Sequence, residues 1–238
     1  MVADKNTNRL RALGTEIGEC RACPRLVEWR EHVAVEKRAS FRDDKYFGAG
    51  VGGFGDPKAR IVVVGLAPAA HGANRTGRIF TGDRSGDFLF GSMHRCGLAN
   101  QAASVSLNDG LRLNDAYVLA AVRCAPPGNK PAPAERDNCA SFMVRELGLL
   151  SNASVLVGLG RFACDAIWST LRANGVELPR KRNKFAHLME QSAGPFTLVA
   201  SFHPSQQNTF TGRLTEPMLD AVFDRAIQLA NATDSAKK

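Results

Sequence analysis

Four short runs of the chain are apolar almost without interruption: Ile61–Gly65 (IVVVG), 116–122 (AYVLAAV), 154–158 (SVLVG) and Phe196–Ser201 (FTLVAS). They are rich in Val and Leu and do not alternate with polar residues, the pattern of parallel strands covered on both faces. Helix-like stretches follow at 85–98, 134–150, 161–173 and 216–230. Pro133-Ala134-Glu135-Arg136 and Glu216-Pro217 place proline and acidic residues where helices start. This strand–helix alternation predicts an α/β protein: a three-layer α/β/α sandwich around a four-stranded, mostly parallel sheet. An N-terminal helical segment is expected over 5–37, then a glycine-rich loop over 48–55. One domain over 1–232 and a disordered tail over 233–238 complete the expected organisation.

Composition narrows the class. The 238 residues carry 31 Lys+Arg against 23 Asp+Glu, a net charge of +8, and 44% are hydrophobic. A chain of this kind buries a core without covalent staples and is not disordered. No apolar run approaches the roughly 20 residues of a membrane span. The opening Met-Val-Ala-Asp-Lys-Asn carries no apolar signal region, so an intracellular, cytoplasmic protein without membrane contact is expected. Six cysteines in a reducing compartment do not form a disulfide scaffold. The charge is concentrated. Residues 161–184 hold six basic side chains and two acidic ones, and 71–95 hold four arginines against Asp83 and Asp87. The basic loop Arg180-Lys181-Arg182-Asn183-Lys184 suits phosphate tracking.

In open α/β sheets ligands bind beyond the carboxyl ends of the strands. Long polar loops follow three of the predicted strands, at 65–83, 123–130 and 202–208. Two glycine patterns compete with them. Gly50-x-Gly52-x-x-Gly55 precedes the first strand, so it reads as a flexible turn. Gly158-Leu159-Gly160 follows a strand and opens a helix, but Glu177, 19 residues on, ends no strand. Close helix–strand packing explains these glycines, with a nucleotide-dependent enzyme as the competing reading.

Cys20 and Cys23 form a C-x2-C pair, and Cys124 and Cys139 have 14 residues between them. Two such pairs can supply four thiolates to zinc or to a [4Fe–4S] cluster. Four unrelated buried thiols are the alternative. Cys96 and Cys164 sit on apolar helix faces and read as core.

Gly65-Leu66-Ala67-Pro68 with Thr76-Gly77-Arg78-Ile79-Phe80-Thr81-Gly82-Asp83, Arg123-Cys124-Ala125-Pro126-Pro127-Gly128-Asn129-Lys130 and His203-Pro204-Ser205 resemble the motifs of the uracil-DNA glycosylase superfamily. With Cys20 and Cys23 they are similar to its iron–sulfur family 5. The resemblance runs from Cys20 to Leu229. It implies a [4Fe–4S] cluster held by Cys20, Cys23, Cys124 and Cys139, tying the N-terminal segment to the sheet. It also implies excision of deaminated bases from double- or single-stranded DNA by a nucleoid-associated monomer. A metal-cluster nucleic-acid-binding module without catalysis is the alternative function.

Excision of a base requires rotating it out of the stack into a pocket. Phe80 would stack on it, Ala67 and His71 would line the pocket, and His203 would donate to the departing base. Asp83 would orient water or stabilise the sugar cation, or cap the helix that follows it. Asn129 would position water or occupy a turn. Gln206, Gln207, Asn208 and Arg213 belong to a loop expected to press into the minor groove and reach a phosphate. Lys130 lies past Asn129, so no Schiff-base lysine and no strand cleavage are expected. Ala120 stands where close iron–sulfur relatives carry an asparagine that reads uracil. Its loss predicts a broader pocket that also accepts hypoxanthine.

Overall fold

The computed structural model describes residues 5–235. A six-stranded sheet forms the middle layer, in the order β1-β3-β2-β4-β6-β5. Its centre is the four parallel strands that the apolar runs predict: β2 (Ile61–Gly65), β3 (Ala116–Ala120), β4 (Val155–Leu159) and β6 (Phe196–Ser201). Val63 lies level with Val118 on one side and Val157 on the other, and Val157 with Val199. All fifteen residues of β2, β3 and β4 and the last four of β6 are buried, and only the first two of β6 are half-buried, which is why no polar alternation is visible.

The expectation of four strands is corrected at both edges. β1 (Phe54–Gly55) pairs antiparallel with β3, and β5 (Glu190–Ala193) pairs antiparallel with β6. Neither carries an apolar run. β1 is two residues inside the glycine-rich stretch, and β5 reads Glu-Gln-Ser-Ala.

Helices cover both faces, and two short ones, α3 (Ala73–Thr76) and α7 (Gln206–Phe210), lie in the segments after β2 and β6. α4 (Arg84–Arg95) and α8 (Glu216–Ser235) pack with each other over one face, whose core includes Val63, Phe90 and Phe223. α1 (Lys5–Glu19), α5 (Pro133–Leu149) and α6 (Arg161–Ala173) cover the other, around Val62, Leu156 and Ile167. α4 stops before Gly97, which takes φ 77°, so the expected helix to 98 is shorter. α8 runs through Ser235, so 233–235 of the expected tail are helical, and 236–238 lie outside the described residues. No helix among the described residues is long and apolar enough to cross a membrane.

The expected N-terminal helical segment consists of two helices. α1 buries Leu10, Leu13 and Ile17 on one face. The chain then breaks across Cys20–Cys23 and restarts as α2 (Pro24–Glu36), with proline in its first turn. The glycine-rich loop is not a flexible turn either. A Cβ on Gly50 would lie 2.1 Å from the Ile17 carbonyl oxygen, so the loop lies against α1 and only glycine fits.

The loop is tied down by a buried ion pair. Arg123 and Glu146 are 1% and 2% exposed and bond to each other. Glu146 Oε1 also accepts from the Gly53 N–H at 3.0 Å and from the Tyr117 hydroxyl at 3.4 Å. Removing one member of such a pair strands the other charge in the interior. Glu146→Ala is therefore expected to cost about 3–5 kcal/mol, read as a lower midpoint in urea unfolding.

Candidate active site

Because β2, β3 and β6 run parallel, the loops after them meet at one edge of the sheet. There they enclose a cavity of about 610 Å³. Leu66, Ala67, Ala69, Ile79, Phe80 and Asp83 line it from the first loop, Asn129 from the second, and His203, Gln206 and Gln207 from the third. The third strand, β4, contributes underneath: a Cβ on Gly160 would lie 3.2 Å from His203 Cβ. Gly158 faces Cys164 Sγ in the same close way, so this glycine pair serves packing, as the sequence suggests.

Phe80 sits in the left-handed region at φ 52° and is 7% exposed. Its ring lies on Gly65, where a Cβ would come within 2.6 Å. The Phe80 and His203 rings are 6.1 Å apart, tilted by 35°. The loop's shape is held by buried Arg78, which donates to Thr81 Oγ1 at 2.8 Å and to Asp109 Oδ2 at 2.6 Å.

Of the roles considered for Asp83, the structure shows the helix cap. It is the N-cap of α4, its Oδ1 accepting from the Gly86 N–H at 3.0 Å, and it also lines the cavity. The space around it is tight: a Cβ on Gly72 would fall 1.9 Å from Asp83 Oδ2. Burial pushes its pKa up, opposed by the N–H groups of Gly86 and Ser85. His203 moves the other way, because burial holds its pKa at about 4 and keeps the imidazole neutral at neutral pH. Asn208 Nδ2 donates to the His203 carbonyl at 2.8 Å and braces the turn. Its amide is thus directed into the loop. Asn129 sits at φ 56° in a 3₁₀ turn, Pro127–Asn129, directly after left-handed Gly128.

Three expectations need adjustment. His71 does not line this cavity; it borders an adjoining groove shared with Asp83, Asn129 and Gln206, its Nδ1 2.9 Å from the Tyr46 hydroxyl. Burial, then Arg38 and Arg75, lower its pKa. Lys130 does border the cavity, despite its place after Asn129. Ala120 is buried at the end of β3 and is not among the residues that line the cavity, where Ala67 and Ala69 present small side chains. Gln206 and Gln207 lie exposed at the cavity rim, and exposed Arg213 stacks on Phe202 beyond it.

Cys20, Cys23, Cys124 and Cys139 line a second, small cavity with Leu26, Arg123 and Phe142. Among the described residues no three or more His, Cys, Asp or Glu side chains close on a single ion. Arg30, 2% exposed, donates from Nη1 to Cys124 Sγ at 2.9 Å, and its Nε has no partner. Asn138 Nδ2 lies 3.3 Å from Cys23 Sγ. Burial raises both the Cys124 and Cys139 thiols, Cys139 to about 11, opposed respectively by Arg30 and by the Arg123 backbone N–H. Cys164 is core and Cys96 packs against α8, as expected.

The Uracil DNA glycosylase superfamily model matches residues 53–227. The chain belongs to this superfamily. It is 51% identical to the type-5 uracil-DNA glycosylase of Mycobacterium bovis over 221 residues, 92% of this chain and 81% of that protein. The type-5 uracil-DNA glycosylases of Mycobacterium leprae and Thermus thermophilus are 50% and 49% identical, covering 92% and 89% of this chain and 94% of each relative.

In this superfamily member, sequence reasoning missed Tyr46, Arg30, Arg84 and Phe210. Arg84 lines the cavity, and Phe210 is the aromatic tip of the loop after His203, 65% exposed. The signal for Phe210 was available: a lone aromatic in a polar loop. Tyr46 and Arg30 meet their partners only through tertiary packing.

Asp83 carries a testable energetic signature. Its folded pKa lies above its unfolded one, so the ionised carboxylate costs stability above the folded pKa, and that cost fades as pH falls. Asparagine caps a helix equally well. Asp83→Asn is expected to raise Tm at pH 7, with the gain shrinking as pH is lowered toward 4 in thermal unfolding.

Proposed function

We propose that the protein is a DNA glycosylase that hydrolyses the N-glycosidic bond of deoxyuridine in DNA and leaves an abasic site. The observation that carries this reading is the meeting of Asp83, Asn129 and His203, from three separate strand ends, around a cavity walled by Phe80. A base rotated out of the duplex stacks on Phe80. As the bond lengthens, the base gains negative charge and the sugar becomes cationic. His203, neutral and preset beside Phe80, donates to the base oxygen that takes the charge. The Asp83 carboxylate stabilises the sugar cation and orients water, with Asn129 holding that water or the substrate. Gln206, Gln207 and the exposed Phe210 present the loop to the groove the base has left. Ala67 and Ala69 leave width for a purine, so hypoxanthine is accepted too.

The four cysteines would hold a [4Fe–4S] cluster. Two observations support a cluster over zinc: the thiols surround a cavity without closing on one ion, and buried Arg30 and Arg123 keep unpartnered N–H groups beside them. Those cations balance the negative charge that four thiolates give a cluster. Such a cluster, when bound, ties the chain around Cys20 and Cys23 to the end of β3 and to α5 and works as a clamp.

A uracil-containing oligonucleotide, single- or double-stranded, should be cut only after alkali. Cutting without alkali would assign Schiff-base chemistry to Lys130. His203→Ala should lower single-turnover excision by about 10²–10³-fold. The rate should be flat through neutral pH, because His203 protonates only near pH 4. The acid limb should lie above the usual carboxylate range and vanish from the residual activity of Asp83→Asn. The purified protein should be brown and contain iron and sulfide; Cys20→Ser should lose the colour and lower Tm, whereas a colourless zinc protein would overturn the cluster.

A further inference from the structure

Six arginines hold their guanidinium groups over aromatic rings. Three of them are also satisfied by carboxylates: Arg75 by Asp44, Arg78 by Asp109 and Arg182 by Asp165. The other three form no ion pair among the described residues: Arg84, 5.0 Å over Phe210; Arg213, 4.8 Å over Phe202; and Arg161, 5.3 Å over Phe185.

These three share one place in the fold. Arg84 follows Asp83 and lines the cavity, while Phe210 and Arg213 belong to the loop after His203. Phe202 directly precedes His203, and its ring is 6.1 Å from that of Phe185. Arg161 follows Gly160, the residue pressed against His203 Cβ. The rings are thus platforms: Arg84 stands at the cavity itself, and Arg213 and Arg161 lie over Phe202 and Phe185, two rings in contact beside His203. Elsewhere an acidic partner quenches such a cation. Here no carboxylate forms an ion pair with them among the described residues: Asp165 is bound to Arg182, and Asp87 acts on Arg84 only through its charge, without a direct bond.

We propose that Arg84, Arg213 and Arg161 are a track for the phosphodiester backbone of the strand that carries the flipped nucleotide. The proposal rests on the glycosylase reading and adds to it the surface that grips the substrate. A guanidinium lying on a ring keeps its N–H edges free, and its orientation is set before the ligand arrives. Each can then donate two parallel bonds to a phosphate, while neither it nor its ring reads base identity. Grip is therefore independent of sequence, which suits an enzyme that must inspect any stretch of DNA. Lysine supplies the same charge without the planar fork.

The test is equilibrium binding of a duplex carrying a tetrahydrofuran abasic-site analogue, across a series of KCl concentrations. Each of Arg84→Ala, Arg161→Ala and Arg213→Ala should reduce the slope of log K against log[KCl] by about 0.9, and the triple variant by roughly 2 to 3. Arg145→Ala, which removes an arginine paired with Glu16 on the α1–α5 surface, should leave the slope unchanged. The triple lysine variant should keep the slope but bind more weakly at every salt concentration. An unchanged slope in the triple alanine variant overturns the track, and wild-type affinity in the lysine variant overturns the role of the platforms. Uracil excision by the unmodified protein separately tests the reading beneath: binding can lose its salt slope whether or not uracil is released.

Discussion

The Arg123–Glu146 pair is the interaction on which the active edge depends. Two charges almost wholly removed from water are expensive, and their mutual attraction alone does not offset the loss of hydration. The offset here comes from neighbours. Glu146 collects Gly53 and Tyr117, and the Arg123 backbone accepts from the Val51 N–H at 2.8 Å. One side chain, Glu146, thereby joins the last turn of α5 to β3, to the segment after β3 and to the loop leading into the sheet. Cys124 and the turn bearing Asn129 start from that point, and the second cysteine of the pair, Cys139, lies two turns back along the helix that carries Glu146. The position of the second active loop and the approach of Cys124 to Cys139 follow from this one ion pair, in which Nη2 of Arg123 is bonded while Nε and Nη1 have no partner among the described residues.

The two titratable groups of the cavity show burial outweighing every other influence on their charge. Asp83 is pushed toward its neutral form and so is His203, although one shift is upward and the other downward. In the proposed reaction, water exclusion serves the imidazole, which donates while uncharged, and opposes the carboxylate, which acts in its ionised form. Helix α4 counters that effect through its first N–H groups, so the cap that starts the helix also keeps the carboxylate usable.

Much of this arrangement was readable along the chain. Four apolar runs identified the parallel strands, and the loops after them carried Asp83, Asn129 and His203 to one edge because parallel strands leave no other choice. The misses have physical causes. β5 contains no run of apolar residues, since an edge strand of four residues needs only its backbone and one buried face. Gly50 looked free because its partner, the Ile17 carbonyl, lies 33 positions earlier. His71 stands in the right loop, yet the turn after Ala70 carries it past Asp83 into the neighbouring groove, where Tyr46 holds it. Asn208 looked outward in a polar loop, and only the fold reveals that its amide closes on the His203 carbonyl.

Ala67 belongs to two neighbourhoods at once. It lines the base cavity, and it packs against the cluster of Leu26, Val122, Cys124 and Cys139. A single methyl group thus partitions the chamber for the base from the thiol-bearing interior. Such a thin wall makes the two compartments geometrically dependent: a larger side chain must intrude on one or the other, and any swelling or collapse on the cysteine side reaches the base side within one residue. The depth of the recognition chamber is in this sense set from behind, by residues that never meet the substrate.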